Sequence, residues 1–365
     1  MSTFMLTIEE RIELIKQVGE EIIGEDELVK LMENGEQLVT YDGFEPSGQI
    51  HIAQGLLRAI NINKMIQAGF KFKMYIADWH AVTNNKMGGD LSKLKVVAEY
   101  FIEVWKASGM DLKHVEFVWA SDLVKKPEYW SLVINVGRSN KLARFIRTAE
   151  FMGREDSAEK LTAAQIMYPC MQIADIFLLG AKVTQLGMDQ RKVNMLAREV
   201  GPLLGYWKPV VISHHMLMGL GKPASIEAVD KASKTIAQKM SKSNPDNAIF
   251  MTDSREDIKR KINKAWCLEG EIHNNPVLEY CKYILFEKYP QIVVDRPAKF
   301  GGPVILNSYQ NLEDLFVKKE IHPMDLKQVV AKLLDELLQP VRQHFEYDEK
   351  AKELLTKVKS YQVTR

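Results

Sequence analysis

Cysteine is scarce: Cys170, Cys267 and Cys281 are the only three in a chain of 365 residues. Their odd number, without a CxxC pair or a Cys/His ligand spacing, excludes a disulfide framework and a structural zinc site and points to a reducing cytoplasm. Charge of one sign is missing too. Lys plus Arg number 49 against 48 Asp plus Glu, a formal net charge of +1, so any nucleic acid must be gripped by a local patch and not by a global field. No run reaches the ~20 apolar residues of a bilayer span, and Met1 to Glu10 lacks a basic stretch followed by an apolar block, so neither membrane insertion nor export is expected. With 13 Pro, 21 Gly and no internal repeat, collagenous and low-complexity architectures are excluded as well. What is present is 46% hydrophobic and 27% charged residues, a globular composition. At roughly 150 residues per domain, the length predicts two domains.

Residues 7–33 place Ile8, Ile12, Ile15, Val18, Ile22 and Ile23 at helical spacing behind a Thr7/Glu10 capping box, which predicts an opening helical hairpin. The pattern then turns to short β-type runs at Leu38–Tyr41, Phe72–Ala77 and Val115–Trp119, with helical segments near 52–68 and 91–108 between them. Residues 128–182 read as consecutive helices, one beginning near Pro169. Apolar runs return at Ala181–Thr184 and Val210–Ser213, separated by a helix. Such alternation predicts an α/β fold, a doubly wound parallel sheet with a helical insertion at about 122–167, and ligands beyond the carboxyl ends of the strands. A Gly/Lys/Ser-rich stretch marks a junction at 231–252, dividing a domain over 1–230 from a smaller all-helical one over 253–365.

After the first β-type run comes Tyr41-Asp-Gly-Phe-Glu-Pro-Ser-Gly48, then His51-Ile-Ala-Gln54 opening a helix. Gly43 and Gly48 permit close backbone approach, and a helix start offers N–H groups to phosphate, with His51 as a further donor. Read alone, the segment is equally a turn with a capping His. The string Lys239-Met-Ser-Lys-Ser243 puts two lysines and two hydroxyls in the junction, suited to closing over a triphosphate and stabilising departing pyrophosphate. A solvated linker is the alternative, but roughly one chain in 10⁴ of this size carries a given five-residue string by chance. In Tyr168-Pro-Cys-Met-Gln-Ile-Ala-Asp175, spacings of four and seven put Tyr168, Gln172 and Asp175 on one side of a helix, with Tyr168 expected in its first turn. Buried among Met171, Ile173 and Phe177, such polar groups must be paired. The same helix could be a core helix whose polar groups cap loops. Asp78 and His80, ending the Phe72–Ala77 run, point toward the site or cap its loop.

The His51 element and Lys239–Ser243 together resemble the two signatures of class I aminoacyl-tRNA synthetases, with Ala53 and Gln54 standing where the family's His-x-Gly-His tetrad has Gly and the second His. Gln54 keeps a donor but no charge. The Tyr168–Asp175 run, Gly187–Lys192 and Tyr41 resemble the tyrosine pocket of tyrosyl-tRNA synthetases of the archaeal and eukaryotic cytosolic type, over most of the chain. The resemblance implies a Rossmann-type catalytic domain with a helical anticodon-binding domain. It implies that Tyr41 and Asp175 hold the phenol, and that Tyr168, Gln172 and Gln190 hold the α-amino group. His51, Lys239 and Lys242 would act in catalysis, and Gly43, Gly48, His51, Gln54, Met240, Ser241 and Ser243 would contact ATP, which brings Mg²⁺; no metal held by the protein itself is expected.

Stranding both phenol partners would disfavour phenylalanine by roughly 2–6 kcal/mol, so no editing domain is needed. In the last third, Arg296–Gly302 and His322–Lys327 resemble anticodon-reading loops: Phe300 to stack on a base, Asp325 to accept from a guanine edge, with His322 beside it. Each loop alone is also an ordinary helix-capping turn. Arg147, Arg191 and Lys192 match positions near the acceptor stem. Lys259, Arg260, Lys261 and Lys264 could meet tRNA phosphates or form a solvated face. The implied partners are tyrosine tRNA, L-tyrosine, ATP and a second copy of the chain, because family members dimerise through the insertion. The rival readings are a tryptophanyl synthetase, a non-catalytic RNA-binding protein of synthetase fold, and a small-molecule nucleotidylyltransferase.

Overall fold

A computed structural model describes residues 6–151, 161–223, 238–240 and 244–361. Six strands form the main sheet: β1 Gly19–Ile23, β2 Val39–Phe44, β3 Lys71–Ile76, β4 Val115–Trp119, β5 Val183–Gly187 and β6 Val210–His214. Their order is β1-β6-β5-β2-β3-β4. From β2 the chain winds outward through β3 and β4, then crosses back to β5 and β6, all parallel. The winding reverses between β2 and β5, and the crevice at their carboxyl ends is where such a sheet takes its ligand.

The expected opening hairpin is corrected at its centre. Helix Ile8–Val18 ends at Gly19, and Gly19–Ile23 is the strand β1, antiparallel to β6 with Ile22 opposite Ile212. The unpaired edge of β6 offers a row of N–H and C=O groups, and satisfying them outweighs the helical spacing of Ile22 and Ile23. A second correction concerns Pro169. Its helix runs Ala163–Leu178, started by a Thr162/Gln165 capping box, with Pro169 inside it and Tyr168 in the second turn. The i, i+4, i+7 spacing still aligns Tyr168, Gln172 and Asp175, so the shifted start leaves their common face intact.

Beyond Ser254, which caps helix Arg255–Lys264, the chain is mainly helical, ending in Pro323–Tyr347 and Glu349–Ser360. It is not all helical. β7 Ile292–Val294 and β8 Val304–Leu306 form an antiparallel ribbon, made of runs too short to stand out in the sequence. The last helices pack back on helix Leu91–Ala107, where His344 Nε2 lies 2.7 Å from Glu103 and the Phe345 and Tyr100 rings are 5.3 Å apart. Buried residues of the sheet and of these helices join in one hydrophobic cluster.

Candidate active site

Asp175 stands at the centre of the crevice, 1% exposed. Its Oδ1 accepts from the Tyr75 hydroxyl at 2.7 Å, and His80 Nε2 lies 2.9 Å from Oδ2. Burial alone would lower the His80 pKa, but Asp175, with Glu45 and Asp78 beyond it, raises it above the usual imidazole value. Tyr41, from β2, meets Tyr75 edge-on at 6.5 Å, and its buried hydroxyl has no well-formed hydrogen bond. Burial, then the Asp175 charge, holds that phenol protonated well above its ordinary range. Tyr41, Tyr75, His80 and Tyr168 thus form an aromatic box with one carboxylate, and the Tyr41 hydroxyl inside it, in only weak contact with Gln172, lacks a well-formed partner among the described residues. A ligand hydroxyl would supply that partner. The Asp78/His80 ambiguity resolves residue by residue. Asp78 is a cap, accepting from the Trp79 and Ser121 N–H groups at 2.9 and 3.0 Å, whereas His80 reaches the site.

One helical turn away, Gln172 Nε2 donates to Gln190 Oε1 at 3.1 Å, and Tyr168 donates to Glu45 Oε1 at 2.7 Å. Asn84 donates to the same Glu45 oxygen. Glu45, just past β2, thus adds an acid and an acceptor cluster suited to an ammonium group. Sequence reasoning assigned no role to Glu45 or Tyr75, although Glu45 lies inside the Tyr41–Gly48 run.

At the other end of the crevice, two segments distant in sequence are stitched together. His51 forms an antiparallel bridge with Phe250, flanked by Ile52 N to Ile249 O and Met251 N to Ile50 O, both 2.9 Å. The helix begins only at Leu56, after a turn through Gly55, where an added Cβ would lie 2.3 Å from Met251 Sδ. Gly48 sits at φ +80°, where glycine is favoured. At Gly43 an added Cβ would meet nothing nearer than 3.7 Å, so packing by the protein itself does not require glycine there. Gln54 gives its backbone O to Trp105 Nε1, and its buried Oε1 has no hydrogen-bond partner among the described residues.

Lys239 reaches Asp189 Oδ2 at 3.0 Å, and that carboxylate raises its pKa against the effect of burial. The side chain of Met240, expected at ATP, is packed in the hydrophobic core, and its N–H is taken by Leu217 O. Ser241, Lys242 and Ser243 lie outside the described residues. Beneath the crevice, Arg58 pairs with Asp42 at 2.5 Å and contacts His214, which Gln185 also reaches at 2.7 Å. Burial pushes the Asp42 carboxyl up to about 7 against the pull of Arg58. This network, with its members on different strands and a helix, has no sequence signature.

The remaining candidates are scattered. Phe300, 60% exposed, lies in the turn joining β7 to β8, whose Arg296 donates to Gly302 O and to Glu320 O. His322 caps helix Pro323–Tyr347 by accepting from Met324 N–H, and Asp325 is half-buried in its first turn. Arg147 is exposed on helix Leu142–Phe151, Lys192 is half-buried near the start of helix Arg191–Leu203, and Arg191 pairs with Glu21 at 2.6 Å. Lys261 is corrected as a phosphate contact, because its ammonium is buried against Asp253 at 2.6 Å and Ala248 O at 3.0 Å.

The family model "tRNA synthetases class I (W and Y)" matches residues 33–339. The cytoplasmic tyrosine–tRNA ligase 1 of Arabidopsis thaliana is 47% identical over 361 residues, 98% of this chain and 90% of that protein. A tyrosine–tRNA ligase of Saccharolobus islandicus is 41% identical over 363 residues, 99% of this chain and all of the other. A tyrosyl-tRNA synthetase from Pyrococcus horikoshii, solved in complex with L-tyrosine, superposes with a TM-score of 0.89 at 39% identity, covering 96% of this chain and 100% of that one. With its reversal-point crevice and matches of this length, the chain belongs to the tryptophan and tyrosine family of class I tRNA synthetases.

Proposed function

We propose that the chain is a tyrosine–tRNA ligase, which activates L-tyrosine with ATP to tyrosyl-adenylate and transfers the tyrosyl group to tyrosine tRNA. The observation that carries this reading is the buried Asp175, braced by Tyr75 and His80 opposite a Tyr41 hydroxyl that makes no well-formed hydrogen bond to any described residue. A phenol would satisfy both. An indole brings a donor but no acceptor for Tyr41, which disfavours tryptophan. Gln172, Gln190 and Tyr168, with Glu45, hold the ammonium, leaving the tyrosine carboxylate to attack the α-phosphate. Gly43, Gly48 and Gln54 line the nucleotide path, His51, Lys239 and Lys242 stabilise the charge on departing pyrophosphate, and Ser241 and Ser243 contact ATP. Catalysis is then positioning and charge stabilisation, with no covalent enzyme intermediate.

ATP would bring Mg²⁺ with it as part of the nucleotide substrate. Residues 1–230 would form the catalytic domain and 253–365 the anticodon-binding domain, joined by 231–252. Phe300, His322 and Asp325 would read the anticodon, and Arg147, Arg191 and Lys192 the acceptor stem. Trp130, Ile134 and Leu142, the last two 60% and 59% exposed on adjacent helices of the insertion, support a homodimer. The cytoplasmic tyrosine–tRNA ligase of Arabidopsis thaliana supports a cytoplasmic place for this chain; no described helix is long and apolar enough to cross a membrane.

The test offers each of the twenty amino acids with ATP and labelled pyrophosphate. Exchange with tyrosine alone is expected. Exchange with tryptophan, or with none, overturns the assignment, the second outcome favouring an RNA-binding protein of this fold. Sedimentation of the purified chain at twice its monomer mass checks the dimer.

A further inference from the structure

Lys239 stands on a very short strand pairing whose outer edge is held from elsewhere. Met218 faces Lys239 in an antiparallel bridge, closed by Gly219 N to Gln238 O at 3.0 Å and Met240 N to Leu217 O at 2.8 Å. These bonds flank the Met218/Lys239 pair, so the N–H and C=O of Met218 point away from Lys239. Unpaired, they would cost stability as buried backbone groups do. Both are satisfied by the C-terminal helical region: the Met218 N–H donates to Glu279 Oε2 at 2.9 Å, and the Tyr280 hydroxyl donates to Met218 O at 3.0 Å. Tyr280 is fully buried. The same Glu279 oxygen lies 3.1 Å from His215 Nε2, whose Nδ1 bonds Glu20 on β1 at 3.1 Å, while the His215 ring stacks on Tyr283 at 4.2 Å.

We infer that Glu279 and Tyr280 are positioning residues for Lys239: by holding both backbone groups of Met218 they fix the strand on which Lys239 is registered. The helical region thereby sets where one phosphate-stabilising ammonium stands. The inference rests on Lys239 acting at the phosphates, as proposed above.

The test is tyrosine-dependent ATP–pyrophosphate exchange by the full chain carrying Tyr280→Phe, Glu279→Ala or Glu279→Gln, alone and combined with Lys239→Ala, with tyrosine affinity and melting temperature measured alongside. Tyr280→Phe and Glu279→Ala should each lower kcat/KM for ATP roughly 3- to 10-fold, the worth of one hydrogen bond, with tyrosine affinity unchanged. Glu279→Gln, which keeps an acceptor for Met218, should recover most of that loss. Added to Lys239→Ala, neither Tyr280→Phe nor Glu279→Ala should cost anything further. Normal exchange by both folded single variants, or a full additional loss in the Lys239→Ala background, overturns the inference. Normal exchange by Lys239→Ala alone instead removes the phosphate role of Lys239 and leaves the tyrosine assignment standing. If Tyr280→Phe does not fold, the Glu279 pair decides.

Discussion

The Asp175 end and the Lys239 end of the crevice are built on different plans. Around Asp175, side chains arrive from β2, β3 and two helices, and Tyr75 and His80 pin the carboxylate before any ligand enters. At the other end, His51 and Lys239 stand on two isolated bridges, His51 with Phe250 and Met218 with Lys239, whose strands are only a few residues long. The first arrangement suits discrimination, because a rigid buried acceptor penalises a ligand that leaves it unpaired. The second depends on holds from elsewhere in the chain, such as those of Glu279 and Tyr280 on Met218, to keep its register.

The comparison breaks most visibly at Asp175. Asp175→Asn leaves His80 buried without its counter-ion, and tyrosine affinity by calorimetry should fall roughly 10²- to 10³-fold. In the Lys239–Ser243 string, Lys242→Ala should lower tyrosine-dependent pyrophosphate exchange about 10²-fold while calorimetric tyrosine affinity stays within about twofold. Loss of tyrosine binding in that variant would mean that the two ends are not separate.

The clamp behind Lys239 sharpens the comparison through pH. His215 faces Glu20 from β1 and Glu279 and Tyr283 from the helical region; burial would lower its pKa, but the two carboxylates raise it to about 9 from 6.5. Its contribution to stability is therefore complete below about pH 6.5 and lost as pH rises through about 9, on the order of 3 kcal/mol. Urea unfolding of the wild type against His215→Ala should show a gap that closes over that window. Tyr41→Phe should cut the preference for tyrosine over phenylalanine roughly 5- to 30-fold in exchange assays, by removing one partner of the phenol. The smallest effect is expected farthest from the crevice: Asp325→Ala should lower aminoacylation about 5-fold and leave exchange unchanged. Equal losses in both assays would make Asp325 structural.

Legibility in the sequence followed how local each signal was. Tyr168, Gln172 and Asp175 were readable because one helix carries all three at i, i+4 and i+7. Lys239 was readable because it sits in a contiguous string of rare composition. Tyr75 was missed because it lies in an apolar strand run where tyrosine is ordinary core material, and only the neighbouring helix makes it a partner of Asp175. Lys261 misled for the same reason: among Lys259, Arg260 and Lys264 it looks like one more surface cation, yet helix Arg255–Lys264 turns it inward onto Asp253.

Periodicity and contiguous motifs, which depend on neighbours within a turn or two, were enough for the parallel α/β winding and the polar helix face. Strand β1, the contact of Arg58 with His214, the His80–Asp175 contact and the hold of Glu279 and Tyr280 on Met218 join residues about 60 to 200 positions apart. Such pairings are chosen by which buried backbone and charged groups must find partners once the sheet has closed, and no local pattern encodes that.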